Sequence, residues 1–203
     1  MPVYIPRELG LANAGWGVCG FTSTFYAMWA LNPGMRPALI NAPQPFTVLA
    51  EIKTYLRTLQ ASGEAAKLTA VRDFTRSFGA PYDTFTIDAY IERINGAVNL
   101  SADAIKGNQM FGIAMPPQCV ADYVRRMWQF DCSIEMGNRN PGSDGIIGVK
   151  SSNSPEMTEY GGLCHWMYRH DNRIYSWGLT LPPNASQFSS YTIIWTLKLQ
   201  SRA

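Results

Sequence analysis

The run Asn13-Ala-Gly-Trp-Gly-Val-Cys19-Gly-Phe-Thr-Ser-Thr-Phe-Tyr-Ala-Met-Trp-Ala-Leu-Asn-Pro-Gly34 passes from a glycine-rich loop into an apolar segment, with Cys19 at the junction. Residues Gly20 to Leu31 are apolar almost all round, which predicts a helix buried at the centre of the fold and stopped by Asn32-Pro33-Gly34. A helix N-terminus presents unpaired backbone N–H groups and the positive end of the helix dipole, and both favour negative charge. The placement therefore predicts a Cys19 thiol acidified below its usual ~8.5. Gly15, Gly17 and Gly20 leave that side chain open to a substrate.

Working outward, the first half of the chain reads as helical. Val48, Ile52, Leu56 and Leu59 recur at helical spacing with Glu51, Lys53 and Arg57 on the other face, and Ala61-Ser62-Gly63 ends the pattern. Leu68, Val71, Phe74 and Phe78 trace another helix closed by Gly79. Ile91 and Ile94 mark a shorter one after Asp88, and Val120, Val124 and Met127 mark one after Pro116-Pro117. From about Phe130 short β-prone runs take over. Ile146 to Lys150 predicts a strand, and Asn138 to Gly145 a polar loop. His165 to Arg169, a turn at His170-Asp171-Asn172, and Arg173 to Gly178 predict a β-hairpin. Tyr191 to Leu199 predicts a long last strand with Ile193, Trp195, Leu197 and Leu199 on one face. The expected fold is α+β: one domain over 1–203, with a helical half over about 1–128 packed on an antiparallel sheet half over about 129–203.

Composition narrows the function classes. Seventeen Lys and Arg against 15 Asp and Glu leave a formal charge of +2 without a basic run, so neither nucleic acid nor an anionic membrane is an expected partner. No stretch approaches the ~18 uninterrupted apolar residues of a membrane span. The N-terminus shows no charged segment followed by an apolar one, so the chain is expected to be cytoplasmic as made, with export by a signal-independent secretion machine as the other possibility. Cys19, Cys119, Cys132 and Cys164 fit neither a CxxC metal pattern nor a disulfide framework. No metal or cofactor is expected. The polar run Asn138 to Asp144 carries oxygen ligands without a calcium-loop spacing and reads as a surface loop.

A nucleophilic cysteine requires a base to take its proton and return it to the leaving group. The chain holds two histidines. His170 falls in the predicted turn beside Asp171 and Asn172, where an exposed, solvated imidazole is expected. His165 opens a predicted strand directly after Gly161-Gly162-Leu163-Cys164, which would hold its ring rigidly, and it is the candidate base. Ser176, at the far end of the hairpin, is a candidate to orient the imidazole. Asn184, Asp171 and Asn172 are alternatives, although the hairpin turn places the last two at the wrong end. Cys164 should face away from His165 into the core, and Cys119 and Cys132 read as buried thiols. Trp16, Trp166 and Trp177 either wall a cleft or pack in the core.

A cysteine at the start of a buried helix, followed at long range by a histidine opening a strand, resembles the papain-like cysteine peptidase superfamily. Asn13 stands six positions before Cys19, where papain-type enzymes carry a glutamine. The resemblance implies that its amide helps form the oxyanion hole. Tyr175-Ser176-Trp177-Gly178 is similar to the downstream Asn-Ser-Trp-Gly of those enzymes, with Tyr175 in place of the orienting Asn. Cys19-Gly20-Phe21-Thr22 also resembles the nucleophile segment of cell-wall amidases of the NlpC type, of bacteriocin-leader peptidases and of YopT-like effector proteases. The resemblance implies a papain-like fold and a thiol hydrolase that cuts amide bonds through a thioester acyl-enzyme. A protein or peptide would be the substrate. By analogy the chain would be a bacterial effector or toxin, with an immunity or inhibitor protein as a possible partner. Muropeptide cleavage and glutamine deamidation or transamidation are alternative uses of the same chemistry. An inert binding module on the same fold, with Cys19 a packed thiol, is the non-enzymatic alternative.

Overall fold

Helices fill the first part of the chain because its apolar residues recur every three to four positions. The structure, a computed structural model, describes residues 16–32, 34, 44–137, 144–153 and 159–201. Helix α1 spans Cys19–Leu31, α2 Gln44–Ala61, α3 Ala65–Arg76, α4 Ile87–Gly96, α5 Ala102–Lys106 and α6 Pro117–Met127. Every residue of α1 from Gly20 to Ala30 is buried. Three hydroxyls survive there by bonding back to carbonyls one turn earlier: Thr22 to Cys19, Ser23 to Gly20 and Thr24 to Phe21. Around α1 the rings of Phe21, Tyr55, Tyr123, Phe25 and Trp128 meet edge to face. The outer helices are tied by an ionic cluster, in which Asp122 of α6 receives Lys67 of α3 at 2.8 Å, Arg126 at 3.3 Å and the Tyr55 hydroxyl of α2 at 3.1 Å.

Among the described residues, the second part is a six-stranded antiparallel sheet. Its strands are β1 Phe130–Met136, β2 Gly145–Ser151, β3 His165–His170, β4 Arg173–Ser176, β5 Leu179–Leu181 and β6 Tyr191–Ser201, in the order β1-β6-β2-β3-β4-β5. The chain is thus α+β, N-terminal helices followed by a C-terminal sheet. One sheet face carries Ile146, Trp166, Tyr168, Tyr175 and Leu197 into the helical core, with α1 lying on β3 and β4. The other face gathers Ile147, Val149, Met167, Ile174 and Phe188 into a smaller cluster of its own.

Three expectations about strands are corrected. Gly145 opens β2 instead of closing the preceding loop, whose residues 138–143 lie outside those described. The hairpin's second strand stops at Ser176, because Trp177 and Gly178 take φ of 51° and 74° in a tight turn that starts β5. Positive φ at both central residues is the geometry of a type I′ hairpin turn, whose twist matches the flanking strands. Finally, Ile193 does not share a face with Trp195, Leu197 and Leu199. Pairing shifts from Gly148↔Trp195 to Val149↔Ile193, so Ile194 is an extra residue in β6. That bulge reverses the alternation and turns Ile193 onto the outer cluster.

Among the described residues, no helix is long and apolar enough to cross a membrane.

Candidate active site

Cys19 is the first residue of α1, and Val18 before it offers no side-chain cap. The first N–H groups of the helix are therefore left for the sulfur and for whatever binds beside it. Gly20 is required by close packing: a Cβ there would lie 2.7 Å from Met115 Cβ and 3.6 Å from Trp166 Cδ1. The Trp166 indole donates to the Met115 carbonyl at 2.8 Å, which locks that contact. Through it, the start of the helix is seated against the start of β3, where His165 precedes Trp166.

A cavity of about 120 Å³ opens between the two halves. Cys19 and Gly17 line it from the helix start, and Cys164, His165 and Trp177 from the sheet. The opposite wall is built by Thr75, Phe78, Tyr82, Ile113 and Ala114. Thr75 holds that wall in place, since its hydroxyl donates to the Val71 carbonyl at 2.7 Å and accepts from the Ala114 N–H at 3.0 Å. Ile113 N–H donates to the Gly17 carbonyl at 3.1 Å and ties the wall to the loop before Cys19. The lining is largely apolar.

His165 Nε2 lies 2.6 Å from Ser176 Oγ, and both side chains are buried. The hairpin register explains the meeting. Tyr168 pairs with Tyr175, so Ser176 falls opposite Met167, one diagonal step from His165 on the same face. Tyr175 projects to the other face and packs against Tyr26 and Tyr168. The imidazole is stacked on the Trp177 indole, with centroids 4.7 Å apart and planes 3° from parallel, and Tyr191 closes the side. The left-handed backbone at Trp177 is what throws its ring back over His165. Among the described residues, Nδ1 has no hydrogen-bond partner.

Burial sets the electrostatics. It pushes the Cys19 thiol up to about 11, outweighing the N–H groups of Trp166, Gly20 and Cys19 itself that favour the thiolate, with the nearby Cys164 sulfur adding to the rise. It drives His165 down to about 3, because the stacked aromatic rings supply no charge to hold a proton. The resting site is therefore a neutral thiol and a neutral imidazole. This corrects the expectation of an acidified Cys19: the helix terminus is present, but the sulfur's loss of water outweighs it.

Other sequence-derived candidates are placed as follows. Asn13 lies outside the described residues. Asn184 is exposed in the loop after β5, and Asp171 and Asn172 form the hairpin turn at the far end from Ser176. His170 is not a freely solvated turn residue. It ends β3 half-buried, with Nδ1 3.0 Å from the Asp144 carboxylate and Nε2 3.7 Å from that of Asp171. Cys164 is not a core thiol but a partly exposed wall of the cavity, its Sγ 3.4 Å from the Val149 carbonyl. Cys119 and Cys132 are buried. Trp16 and Trp166 are core residues and Trp177 is a cavity wall. The sequence marked Phe78 only as part of a helical apolar pattern and did not single out Thr75, Tyr82, Ile113 or Ala114. Comparisons with protein-family models, with curated proteins and with solved structures found no match to this chain.

Proposed function

We propose that this protein is a cysteine-nucleophile hydrolase of peptide or protein amide bonds, with a papain-like arrangement of Cys19, His165 and Ser176. The observation that carries the reading is the convergence of a helix-N-terminal thiol and an oriented imidazole on one apolar cavity. With Nε2–H donating to Ser176, Nδ1 is the nitrogen that remains to accept the thiol proton. Ser176 in this way fixes the tautomer that a base requires.

Because both groups rest neutral, attack and proton transfer occur together. The Cys19 sulfur bonds to the carbonyl carbon as its proton passes to Nδ1 of His165, and the carbonyl electron pair moves onto oxygen. The N–H groups at the start of α1 point at that developing charge. His165 then protonates the leaving nitrogen as the C–N bond breaks, leaving a thioester on Cys19. Water, deprotonated by the same imidazole, releases the acid. The cavity wall of Phe78, Ile113 and Ala114 favours an apolar group beside the cut bond.

The test is incubation of the protein with a mixture of peptides from a protein digest, read by mass spectrometry. New peptide termini that depend on Cys19 and vanish in Cys19→Ala are the expected result. Conversion of glutamine to glutamate without cleavage would replace the peptidase reading with a deamidase one. No Cys19-dependent change would overturn the proposal.

A further inference from the structure

Gly17, in the cavity wall, and Gly112, next to the wall residue Ile113, together shape a slot for one atom, the hydroxyl of Tyr82. A Cβ at Gly17 would lie 3.3 Å from that oxygen, and a Cβ at Gly112 would collide with it. Gly112 would also press on the Trp16 carbonyl at 2.8 Å, so two backbone segments close in around the phenol. Gly17 is two residues before Cys19, and Tyr82 and Cys19 line the same cavity. Tyrosine hydroxyls in such half-buried positions ordinarily hold a partner. Among the described residues, the Tyr82 hydroxyl has none.

We propose that Tyr82 is a further catalytic residue, whose hydroxyl donates a hydrogen bond to the oxyanion formed when Cys19 attacks a carbonyl. The assignment rests on Cys19 being the nucleophile, as proposed above. The balance of the step is simple. Sulfur bonds to carbon, the carbonyl π pair moves to oxygen, and the thiol proton goes to His165 Nδ1. The Tyr82 O–H and the backbone N–H of Cys19 then share the new negative charge, and neither gives up its proton. When the tetrahedral centre collapses, the electron pair returns and the leaving group departs. Burial, with the Cys19 sulfur nearby, raises the phenol above its usual 10, so it stays a donor throughout the neutral range. The two glycines follow from this role, since a side chain at either would displace the hydroxyl from the reacting atoms.

Two reagents separate this role from every other one. Acetylation of Cys19 by p-nitrophenyl acetate passes through an oxyanion and expels p-nitrophenolate. Alkylation by iodoacetamide uses the same sulfur and expels iodide without forming one. Tyr82→Phe keeps the ring and removes only the hydroxyl. The expected result is a fall of at least about tenfold in the acetylation rate, with the alkylation rate within about twofold of wild type. Equal losses in both reactions would show the hydroxyl acting on the thiol or the imidazole, and unchanged rates in both would show it idle; either result overturns the assignment while leaving the nucleophile intact. Failure of wild-type Cys19 to be acetylated at all would instead remove the functional reading and this proposal with it.

Discussion

A buried, neutral His165 makes folding stability depend on pH in a direction that a charged His165 would reverse. Its folded pKa of about 3 lies below the unfolded value of 6.5. Above pH 6.5 the residue is neutral in both states and costs nothing. As pH falls below 6.5 the unfolded chain takes a proton that the folded chain refuses, and stability drains away until the folded group also titrates near pH 3. Linkage over this interval amounts to about 2 kcal/mol lost at pH 5 and about 3 kcal/mol at pH 4. A preformed thiolate–imidazolium pair would raise the folded pKa above 6.5 and add stability over the same range. Urea unfolding of the wild type and of His165→Gln at pH 7, 6, 5 and 4 separates the two, since all other titrating groups cancel in the difference. The wild type should lose stability relative to the variant as the pH falls. A difference that stays constant within about 0.5 kcal/mol, or that grows in favour of the wild type, would refute the argument.

The site and the scaffold allow further tests. Ser176→Ala removes the 2.6 Å partner of His165 Nε2, and a buried ring nitrogen left unpaired costs about 1–3 kcal/mol. A lowered melting temperature should accompany a fall of tenfold or more in Cys19 acetylation, and Ser176→Thr should recover much of the second effect. Gly20→Ala places a methyl 2.7 Å from Met115 Cβ, which should destabilise by about 1–3 kcal/mol in a chemical melt. Burial alone would raise the Asp122 carboxyl, but hydrogen bonds from Lys67, Arg126 and Tyr55 outweigh it and hold it below the usual carboxylate range. A depressed carboxylate contributes stability that is present above its unfolded pKa and lost as pH falls through the folded one. Asp122→Asn should therefore destabilise at pH 7, by about 2 kcal/mol, and flatten the acid limb of the stability profile below pH 4.

Much of this arrangement was legible because it is local. The apolar run after Cys19 could only be a buried helix. The step from Arg169 across Asp171-Asn172 to Arg173 could only be a hairpin, and that hairpin brings Ser176 back to His165. What escaped depends on contacts between distant segments. The far wall of the cavity draws on Thr75, Tyr82 and Ile113, which carry no shared pattern along the chain. The bulge at Ile194 exists because of how β6 meets β2 and leaves no mark in the alternation itself. The acidity of Cys19 was misjudged for the same reason. Helix position is read from neighbours in sequence, whereas burial, the larger effect on the thiol, comes from the packing of distant segments around it.

The central claim, that His165 takes the proton of a neutral Cys19, is tested most directly by the pH profile of Cys19 alkylation by iodoacetamide, with labelled cysteines identified by mass spectrometry. Below its pKa, a thiol acting alone reacts tenfold faster for each unit by which the pH rises, because only the thiolate attacks. With His165 as base, the Cys19 rate should be nearly flat between pH 5 and 8, as the imidazole is unprotonated throughout that range. In His165→Ala the rate should collapse and regain the tenfold slope. A wild-type rate that climbs tenfold per unit across the same interval, unaffected by His165→Ala, would contradict the account.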